Sequence, residues 1–438
     1  MVTTSEVGEA SHPARVTYPG LIRRHGRFLG FGLSLTFLSS FGQTYFISLF
    51  NDSIRAEFGL SHGSIGGTYS LATLASGFTL AWVGGRLDSS DLRKFTAVLC
   101  AALAAAAFGM AFTAGIVSLL LVFFLLRLTG QGLLSHTALT SMARYFEGGR
   151  GKAMSIAGIG FPLGEAILPL LTVAAIATLG WRETWLVVAG FLLLVALPGT
   201  QVLLLGHGER ERRFRARLAE ATDPGRMEPE SAPRNATPRQ WTLGEVVRDR
   251  RFGLILPAVV APGFIVTGFF FHQNHLVAVK EWTPEWFATC FALFAAGQLV
   301  TGVASGPLVD RYGGRRLLAL FTLPMGMGLT LLAAWSPAWV AAGFMLGLGI
   351  TAGLGPTVVG AMWAEVYGVV HLGSIRALAQ SVMVFGTAAS PVLMGVLIDR
   401  GVTMDAMAWG GVAWVTLAAA LAWASGVGKA TRQPAPGV

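Results

Sequence analysis

Charge is what this chain has least of. Asp, Glu, Lys and Arg make up only 13% of its 438 residues, against roughly 25% in soluble domains. A water-facing surface for a folded chain of this size cannot be built from so few. Cysteine is nearly absent. Cys100 and Cys290 both lie inside apolar segments and no Cys-x-x-Cys pair exists, which excludes a disulfide framework and a thiolate zinc site. The first 28 residues hold no apolar run, so no cleavable signal is expected and the first apolar segment has to direct its own insertion. A phosphate-binding loop is missing as well: before and after Gly151-Lys152 the chain has Phe146 and Ala153, where such a loop needs Gly and Ser or Thr. With neither clustered metal ligands nor a nucleophile beside a base, no enzyme and no cofactor are expected.

Apolar length is what the chain has instead. Hydrophobic residues make up 53% and glycines number 56, a composition suited to membrane helices that pack closely through small side chains. A helix needs about 20 apolar residues to cross the hydrocarbon core. Such runs fall at 28–50, 62–84, 95–115, 117–141, 153–178 and 184–205, and again at 252–279, 285–309, 317–335, 337–364, 374–398 and 404–427. The expected fold is therefore all-α integral membrane, with twelve transmembrane helices in two six-helix bundles. The bundles cover 28–205 and 252–427, between short tails at 1–27 and 428–438. Segment 206–251 differs from both, with eleven Arg and four Pro. It buries too little to fold alone and reads as a basic, mostly flexible linker, whose piece Arg210 to Leu218 is placed to lie as a helix on an anionic membrane surface.

The net charge of +9 suggests a nucleic-acid partner only until the bases are located. With both termini inside, 27 of the 32 Lys and Arg lie on the cytoplasmic side; Arg55, Arg182, Lys280 and Arg400 lie outside, and Arg127 lies within the membrane. That asymmetry is the positive-inside signature of a multi-pass protein of the cytoplasmic membrane. The partners expected are a lipid bilayer, a small solute and protons, with no nucleic acid; the chain is expected to be monomeric.

The halves are related. Gly84, Asp88, Arg93 and Lys94 recur 222 residues later as Gly306, Asp310, Arg315 and Arg316, and the same offset carries Tyr145, Gly151, Gly164 and Pro169 onto Tyr367, Gly373, Gly386 and Pro391. One constant offset through so many positions indicates a duplicated half. The stretch Gly306-Pro307-Leu308-Val309-Asp310-Arg311-Tyr312-Gly313-Gly314-Arg315-Arg316 resembles the loop between the second and third helices of major facilitator superfamily transporters, with Gly, three residues, Asp, Arg, any residue, Gly, then bases. The copy at 84–94 departs from that pattern at Ser89. The resemblance implies two pseudo-symmetric bundles and alternating access. It also implies a cytoplasmic latch built from Asp88, Arg93, Gly306, Asp310, Arg311 and Arg315, in which Gly306 admits a neighbouring helix and Asp310 caps a helix N-terminus. For the bases alone, plain topogenic charge is the competing reading. Arg144-Tyr145-Phe146 through Gly151-Lys152-Ala153 resembles the monocarboxylate and organic-anion branch. That branch carries a charged residue in its eighth helix, whereas here Ala288 to Ser305 offers only Gln298.

Ionisable groups inside a bilayer are costly and mark function. Arg127 lies about ten residues into the fourth span and Glu165 about twelve into the fifth, which at 1.5 Å per residue puts both near mid-membrane. Arg127 followed by Gln131-Gly132 matches the fourth-helix pattern of the family, whose cavities are lined by helices one, four, seven and ten. The functional reading makes Arg127 an anion binder, with Gln131 four residues on, and Glu165 the proton-coupling acid. The structural reading makes them a self-neutralising buried pair. Ser40 and Gln43 share a face of the first span, and His272 lies on the seventh beside Phe269, Phe270 and Phe271. Such polar stripes serve interhelical hydrogen bonds as often as ligands. Pro162 is expected to bend the fifth span. The expected function is secondary active transport of a small organic solute, an anion above others, by proton symport. The competing readings are a drug or metabolite exporter, an uptake carrier for a larger ring-bearing compound such as a vitamin, and a non-transporting sensor.

Overall fold

The computed structural model of the chain describes residues 17–84, 90–146, 149–221 and 240–426, and among these it is built from helices with no strand. The first half contributes α1 (Tyr18–Leu38), α2 (His62–Val83), α3 (Leu92–Ala111), α4 (Ile116–Tyr145), α5 (Arg150–Leu179) and α6 (Trp181–Leu203). The second contributes α7 (Arg250–Phe271), α8 (Pro284–Tyr312), α9 (Leu323–Ala334), α10 (Trp339–Tyr367), α11 (Leu372–Asp399) and α12 (Met404–Ala424). Nine helices among the described residues are long and apolar enough to cross a membrane, and α9 is a shorter apolar helix.

Local chemistry sets the helix starts. The side chains of Ser61, Asp91, Thr283 and Thr403 each accept the backbone N–H two or three residues on, at the starts of α2, α3, α8 and α12, and so satisfy donors that a helix cannot satisfy internally. Pro284 follows Thr283 at the first helical position, where its missing N–H costs nothing. Near Pro162 the helix is interrupted. One helix ends at Gly158 and the next begins at Gly160, because Pro162 has no N–H to give the Gly158 carbonyl.

Three expected boundaries change in ways that matter. First, α1 begins ten residues earlier than the apolar run and stops at Leu38; residues 39–50 then form short helical turns. Second, α7 stops at Phe271, and residues Gln273–Val279 form a separate short helix after His272. Third, part of the 206–251 segment is ordered: His207–Ala221 is a helix. It seats on the bundle through its few non-polar contacts. His207 stacks with Phe28, Phe214 packs on Tyr145, Arg210 lies over the Phe28 ring, and Tyr145 Oη donates to Glu211. Those contacts tie the Arg-rich piece to the end of α1 and α4.

The two halves meet along α2 with α11 and α5 with α8. Among the described residues, every hydrogen bond between the halves lies at one end, the end away from the termini and the 206–251 segment.

Candidate functional site

The site is organised by a break in α1 opposite a widened turn in α4. Ser39, Ser40 and Gly42 are poor helix formers; they wind into a short 3-10 turn and Gln43 goes extended, with φ −85° and ψ 155°. Facing it, Arg127–Leu134 forms π-helical turns inside α4, a distortion that concentrates at functional sites. The two meet glycine to glycine. A Cβ on Gly42 would collide with the Leu126 carbonyl and lie 2.8 Å from the Gly130 Cα, so only glycine permits this approach.

Arg127 projects from the widened turn into the break. Its Nη1 donates to the Gly42 carbonyl at 3.5 Å and to Thr44 Oγ1 at 3.4 Å, both long contacts. Its guanidinium lies 5.3 Å from the Tyr69 ring centroid, and Tyr69 Oη donates to Thr44 Oγ1 at 2.8 Å. The side chain is only 7% exposed, Nε has no partner, and no carboxylate among the described residues pairs with it. A buried charge without a counter-charge is expensive. Gln131, on the same turn, also keeps its Oε1 without a partner.

Glu165 lies on the other side of the break. The pairing with Arg127 left open by the sequence is absent: Arg127 donates to Gly42 and Thr44, and Glu165 Oε2 has no partner. Arg127 reaches Gly42 and Thr44, while Gly164 faces Ser40 and Tyr45: a methyl group there would collide with Ser40 Oγ and lie 3.1 Å from Tyr45 Oη. Glu165 is 7% exposed, and its Oε2, Ser40 Oγ and Tyr45 Oη have no hydrogen-bond partner. Gln43 sits at the break itself and is half-buried.

The closed end is held by amides and one acid. Asn51 Nδ2 donates to the Phe271 carbonyl at 2.7 Å, Asn274 Nδ2 to the Leu49 carbonyl at 3.0 Å, and Gln273 Nε2 to Ser48 Oγ at 2.7 Å and the Tyr45 carbonyl at 2.8 Å. Asp399 accepts the backbone N–H groups of His62 and Gly63 at 3.0 and 2.7 Å, at the N-terminus of α2. His272 belongs to this closure. Its Nε2 engages the Pro391 carbonyl at 2.9 Å and its ring faces His62, so it points at α11 rather than into the break.

The loop residues at the other end are apart in this conformation. Asp88 lies outside the described residues. Arg93 is exposed and takes its helix cap from Asp91. Gly306 falls inside α8, where an added Cβ would meet nothing, so no helix approaches it here. Asp310 is exposed in the last turns of α8 and makes no cap; Glu365 of α10 accepts from the Gly314 and Arg315 backbone N–H groups at 2.7 and 3.1 Å and faces the Arg315 guanidinium. Arg311 lies over the neighbouring Tyr312 ring. Among the described residues, the hydrogen bonds between the halves all lie at the opposite end, and none joins the first half to this loop.

Thr44, Tyr45, Tyr69, Asn51, Gln273, Asn274 and Asp399 had no place among the residues expected from sequence. One signal for the amides was present. Position 51 maps by the 222-residue offset onto 273 and position 49 onto 271, so the two carbonyl acceptors, Phe271 and Leu49, are equivalent positions, whereas the donors Asn51 and Asn274 are offset by one residue.

The profile described as Major Facilitator Superfamily matches residues 32–293 and 278–436. A curated relative, "Probable plastidic glucose transporter 1" of Arabidopsis thaliana, is 35% identical over 91 residues, 20% of this chain and 17% of the relative. Among solved structures, a point mutant of the nucleoside transporter NupG aligns at TM-score 0.62 and 16% identity over 92% of this chain and 98% of the other. The xylose transporter XylE from E. coli, inward open, aligns at 0.64 and 15% over 90% and 95%. A bacterial homologue of the human lysosomal transporter Spinster, inward-facing and occupied, aligns at 0.58 and 15% over 92% and 97%.

Proposed function

This chain belongs to the major facilitator superfamily and is a multi-pass membrane transporter rather than an enzyme; within that family we propose that it moves a small organic anion by alternating access, driven by protons. One observation carries the proposal. Arg127 is a buried cation with no carboxylate partner among the described residues, aimed into a break in the facing helix. An anion entering there supplies the missing counter-charge, and the planar guanidinium suits a carboxylate or phosphate. The Tyr69 ring beneath Arg127 holds the fork in orientation from its other face.

Glu165 is the proton site in this reading. Direct exchange of charge with Arg127 is replaced by a shared hinge: substrate pulls on Gly42 and Thr44, whereas the protonation state of Glu165 acts on Ser40 and Tyr45, four residues of one short segment. Each ligand thereby biases the same bistable element, which is what thermodynamic coupling requires. The hinge opens toward the basic end, which the charge asymmetry assigns to the cytoplasm. All twelve helices span the bilayer in this reading, with both termini and the 206–251 segment cytoplasmic, as a monomer in the cytoplasmic membrane. The loops at 84–94 and 306–316 engage as a latch only in the opposite conformation.

A neutral-solute reading is favoured by the unpaired amide Gln131 and by the half-buried Gln43, together with the sugar and nucleoside names of the similar transporters. The two readings separate in one experiment. Thermal shift of the purified protein is measured against matched pairs of organic anions and their neutral amides, and saturable binding of the best anion is then compared in Arg127→Gln. Stabilisation by anions that vanishes in the variant supports the proposal. Stabilisation by sugars or amides that survives it assigns a neutral substrate.

A further inference from the structure

A second cationic position lies in the other half. Between α7, α10 and α11 is a cavity of about 530 Å³, lined by Phe321, Thr351, Trp363, Arg376, Gln380 and Met383 among others. That is the size of a small-molecule pocket. Its wall is mostly apolar, with Thr351 and Gln380 as polar side chains and Arg376 as its one charge. The Arg376 guanidinium lies against α10 where Gly360 has no side chain: a Cβ there would sit 3.5 Å from Arg376 Nη2. Arg376 has no ion pair or hydrogen bond among the described residues, and the exposed Gln380 lies four residues on, on the same helix face. Trp363 is 2% exposed and fixed by Phe252 and Tyr367 at ring-centroid distances of 5.5 and 6.0 Å, so it is a rigid wall.

Depth distinguishes this place from the Arg127 site. Arg127 is eleven residues from the start of α4 at the closed end, about 16 Å along the axis; Arg376 is four residues from the start of α11 at the open end, about 6 Å in.

We propose that this cavity is a second anion subsite, on the path between the Arg127 site and the open mouth, and that it selects organic anions with an aromatic body. The inference rests on the anion reading of Arg127 for its place on the path. Arg376 supplies the charge partner, Gln380 a second donor for the same head group, and Trp363, Phe321 and Met383 the apolar wall against which the ring lies. A neutral polar solute gains nothing from Arg376, and an aliphatic anion gains little from the ring wall.

The test uses the full chain in phosphatidylcholine nanodiscs, with radiolabelled 1-naphthoate in equilibrium dialysis and 1-naphthamide as the neutral control. Two classes of site are expected in the parent protein. Arg376→Gln weakens one class by about tenfold, the scale of a lost charge-assisted hydrogen bond, and Arg376→Lys recovers most of it. Arg127→Gln removes the other class and leaves the first, so failure of the anion reading at Arg127 shows in a separate arm. Arg376 is exposed and has no partner among the described residues, so these variants leave the fold intact, and Trp363→Leu provides an independent loss on the ring wall. Superimposable titrations for Arg376→Gln and parent, or no Arg376-dependent binding up to millimolar probe, overturn the subsite. Loss of both classes in Arg127→Gln overturns it by making the two one site. Displacement of 1-naphthoate from the Arg376 class by added phosphatidylglycerol also overturns it, assigning Arg376 to a lipid head group.

Discussion

Asp399→Ala should open the closed end without touching either buried charge. Asp399 reaches across the two halves and accepts the His62 and Gly63 N–H groups at 3.0 and 2.7 Å, completing the cap that Ser61 begins on α2. A carboxylate at a helix N-terminus contributes about 0.5–2 kcal/mol as a cap and about 0.3–1 kcal/mol through the helix dipole. Asp399 is exposed, so screening holds the sum near the low end, at about 1 kcal/mol. That corresponds to about a fivefold shift in the equilibrium between closed and open forms of this end. Asp399→Asn keeps one acceptor and loses the charge, and should fall between parent and Ala. Spin labels on the exposed Ala56 and Ala338, one on each half, report the change by pulsed dipolar spectroscopy as growth of a longer-distance population. Identical distance distributions in parent and Asp399→Ala would refute the argument, because the only bonds lost are those that bridge the halves.

Three further outcomes follow from the same geometry. Gly42→Ala should abolish folded protein or lower its yield several-fold by size-exclusion chromatography, since the added methyl collides with the Leu126 carbonyl and crowds Gly130; recovery by Gly130→Ala in the double variant would contradict this. Asn51→Ala and Asn274→Ala should each raise the open population at the closed end by a similar factor, since each loses one amide-to-carbonyl bond across the halves, read by the same spin labels; no change from either would contradict their role in the closure. Glu57 is held below the usual carboxylate range by the Arg182 guanidinium and the Trp181 indole N–H. A depressed pKa contributes stability above the unfolded value that disappears as pH falls through the folded one, so the melting-temperature gap between parent and Glu57→Gln should close between about pH 5 and pH 3.

What could be read from the sequence followed from what each signal encodes. Apolar run length states where a helix can lie in lipid, and the 222-residue offset states that there are two halves, so the architecture was legible. Arg127 and Glu165 were legible because charge in an apolar run is rare enough to stand out one residue at a time. Their separation was not, because nothing in a run of apolar residues announces that Ser39 to Gln43 leave the helix; Ser, Gly and Gln are tolerated in membrane helices, and only the close approach of Gly130 makes the break. The conformation was not legible either. Gly306 and Asp310 read as a latch, yet in this conformation Gly306 has no neighbour for an added Cβ and Asp310 makes no cap among the described residues, and the sequence does not state which conformation is populated. Arg376 was counted with the loop bases because it lies four residues into its helix, where charge usually serves orientation.

The central claim is that an anion at Arg127 and a proton at Glu165 act on one hinge. The most direct test is reconstitution of parent and Glu165→Gln into proteoliposomes, with the anion that most stabilises the parent supplied at equal concentration on both sides and a pH difference imposed across the membrane. The parent should concentrate the anion, while Glu165→Gln should bind it and exchange it across the bilayer without concentrating it. Accumulation by folded Glu165→Gln to the parent's level would contradict the account.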